Sequence, residues 1–143
     1  MAPHLNDEAE TVLVVDDDAV VRMLEVRMLS QLGYNVLQAE GPLEAMWLAA
    51  ATPTIHLLLT DFSMPEADGL ELIERFRAVH PRRPVLMVSG SLEAINGRAD
   101  YLDRFAVLAK PFTSEELVDR VSALLSDSTT RHAVASPSAL PQG

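Results

Sequence analysis

His56-Leu57-Leu58-Leu59-Thr60-Asp61-Phe62-Ser63-Met64-Pro65 is the stretch whose reading decides the fold. An apolar run ends in an acid, and a proline follows four residues later. Such a run reads as a parallel strand buried on both faces, with its last residue emerging into a loop. Asp61 then stands at the carboxyl end of a central strand. In an open α/β sheet that edge is where ligands bind, because the strand ends and the loops after them form a crevice. A carboxylate there is a ligand, a nucleophile or a costly accident.

Working outward, the β-branched run Thr11-Val12-Leu13-Val14-Val15 is a second buried strand, and it stops at Asp16-Asp17-Asp18. From Ala19 to Leu32 the apolar Val20, Val21, Leu24, Met28 and Leu32 recur at helical spacing. Arg22, Glu25, Arg27 and Gln31 are expected to face away, and Gly33 marks the helix end. A short strand over Asn35 to Ala39 follows, then Gly41-Pro42 opens a helix to about Ala51 carrying Leu43, Met46, Trp47 and Ala50. Beyond the central strand, Asp68-Gly69 leads into an amphipathic helix with Leu70, Ile73, Phe76 and Val79, closed by His80-Pro81. Pro84 to Val88 is a fourth strand, ending at Ser89-Gly90-Ser91. Leu92 to Asp103 reads as a helix weakened by Asn96-Gly97. Phe105 to Ala109 is the fifth strand and runs into Lys110-Pro111-Phe112. Thr113-Ser114-Glu115-Glu116 is a capping box, and Leu117, Val118, Val121, Leu124 and Leu125 give the last helix its buried face.

Five βα units with these lengths predict an α/β fold: a doubly wound, five-stranded parallel sheet in a flavodoxin-like (βα)5 sandwich. Its expected limits are residues 11–126, with 1–10 a flexible leader and 127–143 a Ser/Thr/Ala/Pro-rich flexible tail. The chain of 143 residues has no cysteine, which excludes disulfides and thiolate chemistry and suits a reducing, cytoplasmic setting. No basic, apolar leader and no run near the roughly 20 apolar residues of a membrane span are present. Twenty-one acids against 11 basic residues, a net charge of −10, repel a phosphate backbone, so direct nucleic-acid binding is not expected.

Four strands thus end in Asp16-Asp17, Asp61, Ser89 and Lys110, three carboxylates, a hydroxyl and an ammonium at one edge of one sheet. Clustered carboxylates repel one another unless a cation or a proton intervenes. Oxygen ligands without His or Cys select a hard ion, Mg²⁺ with Mn²⁺ as substitute. Such an ion also binds phosphoryl oxygens; Lys110 adds charge, Ser89 a short donor, and Asp61 is placed to be a nucleophile for a phosphoryl group. His4, His56, His80 and His132 share no spacing with the acids and receive no role.

Val14-Val15-Asp16-Asp17-Asp18, Thr60-Asp61-Phe62-Ser63-Met64-Pro65 with Asp68-Gly69, Val88-Ser89-Gly90 and Lys110-Pro111-Phe112 together resemble the receiver domain of two-component response regulators. The resemblance implies that Asp61 accepts a phosphoryl group from a phosphohistidine on a sensor histidine kinase or histidine phosphotransfer protein. It implies Mg²⁺ bound directly by Asp17 and Asp61, through water by Asp16 and through the backbone carbonyl of Ser63. Lys110 would pair with the phosphoryl group across a cis Lys110-Pro111 bond, and Ser89 would swing in to bond it. The family's aromatic residue three before the lysine is Val107 in this chain, and Phe105 or Tyr101 are the candidates to replace it. With no output domain expected after the receiver, the signal would leave through a downstream protein target, and a homodimer stays open.

Two other classes compete. A Mg²⁺-dependent phosphatase that uses a strand-end Asp wants a second acid two residues later, where this chain has Ser63. A nucleotide- or flavin-binding module wants a Gly-rich first loop, where this chain has Asp16-Asp17-Asp18. A receiver belonging to a hybrid histidine kinase fits the same residues as a free-standing one.

Overall fold

The computed structural model describes residues 5–62, 69–90 and 106–134. Five strands form one parallel sheet: β1 (Thr11–Val15), β2 (Asn35–Ala39), β3 (Leu57–Asp61), β4 (Val85–Ser89) and β5 (Ala106–Ala109), in the order β2-β1-β3-β4-β5. Four helices are described, α1 (Ala19–Gln31), α2 (Pro42–Ala51), α3 (Gly69–Val79) and α4 (Ser114–Val134). The strand order reverses between β1 and β3, and the crevice of a doubly wound sheet opens there. None of the described helices is long and apolar enough to cross a membrane.

Alternation along the strands divides the core in two. Leu13, Val15, Leu58, Val85 and Met87 pack with Ala45 and Ala49 of α2 and with Leu72, Ile73 and Phe76 of α3. Val12, Val14, Leu57, Leu59, Leu86, Val88 and Leu108 pack with Leu29 of α1 and with Leu117, Val121 and Leu125 of α4. Continuing the period of two past each strand assigns Asp16, Asp61 and Lys110 to the side of α1 and α4, and Ser89 to the side of α2 and α3.

Local chemistry sets the helix ends. The Asp18 carboxylate caps α1 by accepting from the N–H groups of Val20 and Val21. Gly33, at φ 93°, ends it in a Schellman turn, with the Gly33 N–H on the Ser30 carbonyl and the Tyr34 N–H on the Leu29 carbonyl. The capping box at α4 is formed: the Thr113 N–H reaches Glu116 Oε1 at 2.9 Å and the Glu116 N–H reaches Thr113 Oγ1 at 3.1 Å.

The structure departs from the expected face of α1 and adds detail at both ends of the sheet domain. On α1, Glu25 faces inward at 1% exposure, whereas Val20, Leu24 and Leu32 are 62%, 45% and 51% exposed. Apolar residues occur all around this helix, so their spacing leaves its phase open; the Asp18 cap and sheet packing choose a face containing Glu25 and Leu29. The last helix continues past residue 126 to Val134, because no glycine or proline interrupts the chain between Ser114 and Val134. Leader residues are held too: the Asn6 N–H donates to Asn35 Oδ1, Asn35 Nδ2 donates to the Asn6 carbonyl at 2.7 Å, and Leu5 packs on the α2/α3 core. Asn35→Ala should therefore cost about 1 kcal/mol and release residues 5–10 to protease, measured by urea denaturation and limited proteolysis. The expected helix over 92–103, Tyr101, Phe105 and most of the expected tail lie outside the described residues.

Candidate functional site

At the carboxyl edge of β1 and β3 the chain brings Asp16, Asp17 and Asp61 together, so that one oxygen from each lies within 4.8 Å of the others. Asp16 and Asp61 are buried and Asp17 is exposed, so the cluster has a closed floor and an open mouth. The turn between β1 and α1 is fixed from within. Asp16 Oδ1 accepts the Asp18 N–H at 2.9 Å, and the Asp16 carbonyl accepts Arg22 Nη1 at 2.7 Å. Arg22 also donates from Nε to Gln38 Oε1 at 3.2 Å and pairs with Glu40 at 3.6 Å, which ties the first turns of α1 to the end of β2.

Lys110 reaches in from the end of β5. Its Nζ lies 3.3 Å from Asp16 Oδ2 and 3.4 Å from Asp61 Oδ2, and the Lys110-Pro111 peptide is cis. The Lys110 N–H donates to the Ser89 carbonyl at 2.8 Å and so extends the β4–β5 ladder to the site. Burial disfavours the ammonium, but Asp16 and Asp61, by charge and by hydrogen bond, outweigh it and hold the Lys110 pKa above its ordinary value. Lys110 is thus a fixed cation bridging two carboxylates.

Ser89 is buried at the end of β4, beside the crevice. Ser63 lies outside the described residues. Val107 packs against the α2/α3 core.

The acids fit a hard divalent cation in number, oxygen chemistry and closeness, with Lys110 offsetting part of their charge. Two residues of this neighbourhood escape a reading of the sequence. Arg22 offers no motif, only its place one helical turn after the acids. Glu25 reads as outward-facing because it is charged, yet its Oε2 is buried without a hydrogen-bond partner. Burial first, then Asp16, with Lys110 opposing and Asp61 adding, push its pKa up to about 8. Two histidines do structural work: His56 Nδ1 accepts the Thr11 N–H at 2.9 Å, and His80 Nε2 lies 2.8 Å from the Ala49 carbonyl.

Residues 12–122 match the family described as response regulator receiver domain. The chain is 34% identical over 119 residues to a chemotaxis protein CheY homolog of Campylobacter jejuni, covering 79% of this chain and 90% of that protein. It is 33% identical over 134 residues to the DNA-binding transcriptional regulator NtrC of Azospirillum brasilense, covering 93% of this chain but only 26% of that longer protein. Among solved structures, the receiver domain from the hybrid histidine kinase CckA superposes with a TM-score of 0.69 at 33% identity, covering 80% of this chain and 98% of that one. With a family match across nearly the whole sheet and a relative of similar length, this chain belongs to the response regulator receiver domain family of two-component signalling.

Proposed function

We propose that this chain is a phosphoacceptor that receives a phosphoryl group on Asp61 from the phosphohistidine of a sensor histidine kinase or histidine phosphotransfer protein and signals by contacts with a downstream protein. The observation that carries this reading is the ion-paired Asp61: a nucleophile at a strand end, 3.4 Å from Lys110 Nζ and within 4.8 Å of two further acids. In the transfer, an oxygen of the Asp61 carboxylate bonds to phosphorus as the bond from phosphorus to the donor imidazole breaks, and the imidazole leaves with a proton. A divalent cation, Mg²⁺ in the cell, would be held by Asp16, Asp17 and Asp61 with the Ser63 carbonyl, and would offset charge on the phosphoryl oxygens. Lys110, half-buried and paired with both acids, transfers its pairing from Asp61 to the incoming group. Ser89 then hydrogen-bonds the phosphoryl group and passes the change to the β4 and β5 side of the sheet. Such a chain turns over no external substrate; the phosphoryl group is received and later lost to water.

Exposed Val20 and Met23, 62% and 60% accessible on the first two turns of α1, give the donor protein an apolar surface beside the acids. Relatives include both a short chemotaxis protein and a long sensor kinase, CckA of Brucella abortus, of which the matched region is 12%. The chemistry at Asp61 is the same in a free-standing receiver and in one belonging to a hybrid kinase.

Intact-mass analysis after mixing the chain with Mg²⁺ and acetyl phosphate tests the proposal. One phosphoryl mass should appear with Mg²⁺ and should not form when chelator is present from the start. No adduct from acetyl phosphate or from a phosphohistidine protein, with the fold intact, would overturn it.

A further inference from the structure

Glu25 is the one buried acid among the described residues to which the proposed chemistry gives no task. It is 1% exposed, on the sheet-facing side of α1, and its Oε2 has no hydrogen-bond partner. Leaving a buried ionised carboxylate unpaired is costly, so at this position the group is expected to be neutral unless something nearby supplies positive charge. The strand alternation puts Asp16, Asp61 and Lys110 on the α1 side of the sheet, the side to which Glu25 also belongs.

These three residues are the charges that act on Glu25, from β1, β3 and the end of β5 respectively. On its own helix, Arg22 is one turn away but is committed to the Asp16 carbonyl, Gln38 and Glu40. From α4 the buried residues are the apolar Leu117, Val121 and Leu125, while Glu115, Glu116, Asp119 and Arg120 are exposed. Glu25 therefore senses little except the net charge of the acid cluster, and it senses it through space rather than through a shared hydrogen bond.

We propose that Glu25 is a positioning residue on the same side of the sheet as the cluster, a fourth carboxyl that gives up its proton when a divalent cation is loaded, so that cation binding by this chain is proton-linked. The inference rests on the cation site proposed above. Without the ion, burial and the Asp16 and Asp61 charges keep the proton on Glu25 against the opposing pull of Lys110. A dipositive ion among Asp16, Asp17 and Asp61 reverses the sign of that field, and the neighbours that held the proton no longer do. The O–H bond of the Glu25 carboxyl breaks, the proton passes to buffer, and the carboxylate left behind adds its attraction to the ion. By linkage the gain runs in one direction: affinity rises with pH, because the ion-free protein carries the extra proton. The resting site is consequently weakened toward cations at low pH and strengthened at high pH.

Calorimetric titration of Mg²⁺ into the full chain, in pairs of buffers with different ionisation heats between pH 6 and 9, reads both proton release and affinity. Wild type should release a measurable fraction of a proton per ion near neutral pH, and its affinity should rise about tenfold or more across that range, since linkage of one carboxyl to one ion allows up to about a decade per pH unit while the ion-free group stays protonated. Glu25→Gln, which keeps the shape, and Glu25→Leu, which fills the same apolar surroundings, should release no proton and bind Mg²⁺ with flat pH dependence. Circular dichroism establishes that both are folded, and either variant alone suffices. Mg²⁺ binding by wild type without proton release, or with the same release in a folded variant, would overturn the role of Glu25 while leaving the cation site standing. Absence of Mg²⁺ binding by wild type would remove the cation site, and the inference with it.

Discussion

Asp61→Asn should take up no phosphoryl group from acetyl phosphate or from a phosphohistidine donor, a loss of at least about a thousandfold in the rate of mass gain. The amide matches the carboxylate in size but is neutral and a poor nucleophile, so the bond to phosphorus does not form. The substitution also deletes one side of the bridge at Lys110, which lies 3.4 Å from Asp61 but keeps Asp16 at 3.3 Å. The ammonium stays paired and the fold should hold, since one fewer acid also relieves repulsion in the cluster. Intact-mass time courses of both proteins, with melting curves alongside, check both halves of the expectation. Uptake by the variant at a tenth of the wild-type rate or more would move the acceptor to another residue.

The largest effect on stability is expected at Phe76→Ala. Phe76 is fully buried on α3 against the sheet, and its ring stacks on His80 with centroids 5.2 Å apart. Truncation leaves a void in the α2/α3 half of the core and unseats the imidazole that holds the Ala49 carbonyl at the end of α2. The cost for a fully buried phenylalanine is about 3–5 kcal/mol, a large part of the 5–15 kcal/mol that holds a typical domain folded. Urea denaturation should show the midpoint moving with the slope nearly unchanged. A loss under about 1 kcal/mol would mean that the α2/α3 layer repacks around the gap.

How far the fold can be read from the chain depends on how each element advertises itself. The strands β1, β3 and β4 are unbroken apolar runs that end in an acid or a serine, so their ends, and with them Asp16, Asp61 and Ser89, are legible. The reversal of strand order goes with the doubly wound reading, since right-handed crossovers cover both faces of an open sheet only when the order reverses. Lys110 is legible because a strand precedes it and a proline follows. Helix phase is another matter: on α3 the expected Ile73 and Phe76 are buried, but Leu72 joins them in place of Val79, which is exposed, and α1 carries Val20, Val21, Met23, Leu24, Val26, Met28 and Leu29 around its circumference. With apolar residues on every side, a charge is the only cue to the outer face, and at Glu25 that cue points the wrong way. The far end of α4 is hidden for the opposite reason: the sequence from Ser126 to His132 has no apolar residue to mark a helical period, and no glycine or proline to break one.

The sole tryptophan has a practical consequence for anyone working with this chain in a cuvette. Trp47 lies on the outer face of α2 with 67% of its surface in water, on the opposite side of the sheet from α1 and α4. Its indole is solvated before unfolding as well as after, so its emission carries little of the melting of the core. Intrinsic fluorescence from this protein therefore reports the outside of α2 and whatever settles on it, and the backbone signal in the far ultraviolet is the better gauge of folding.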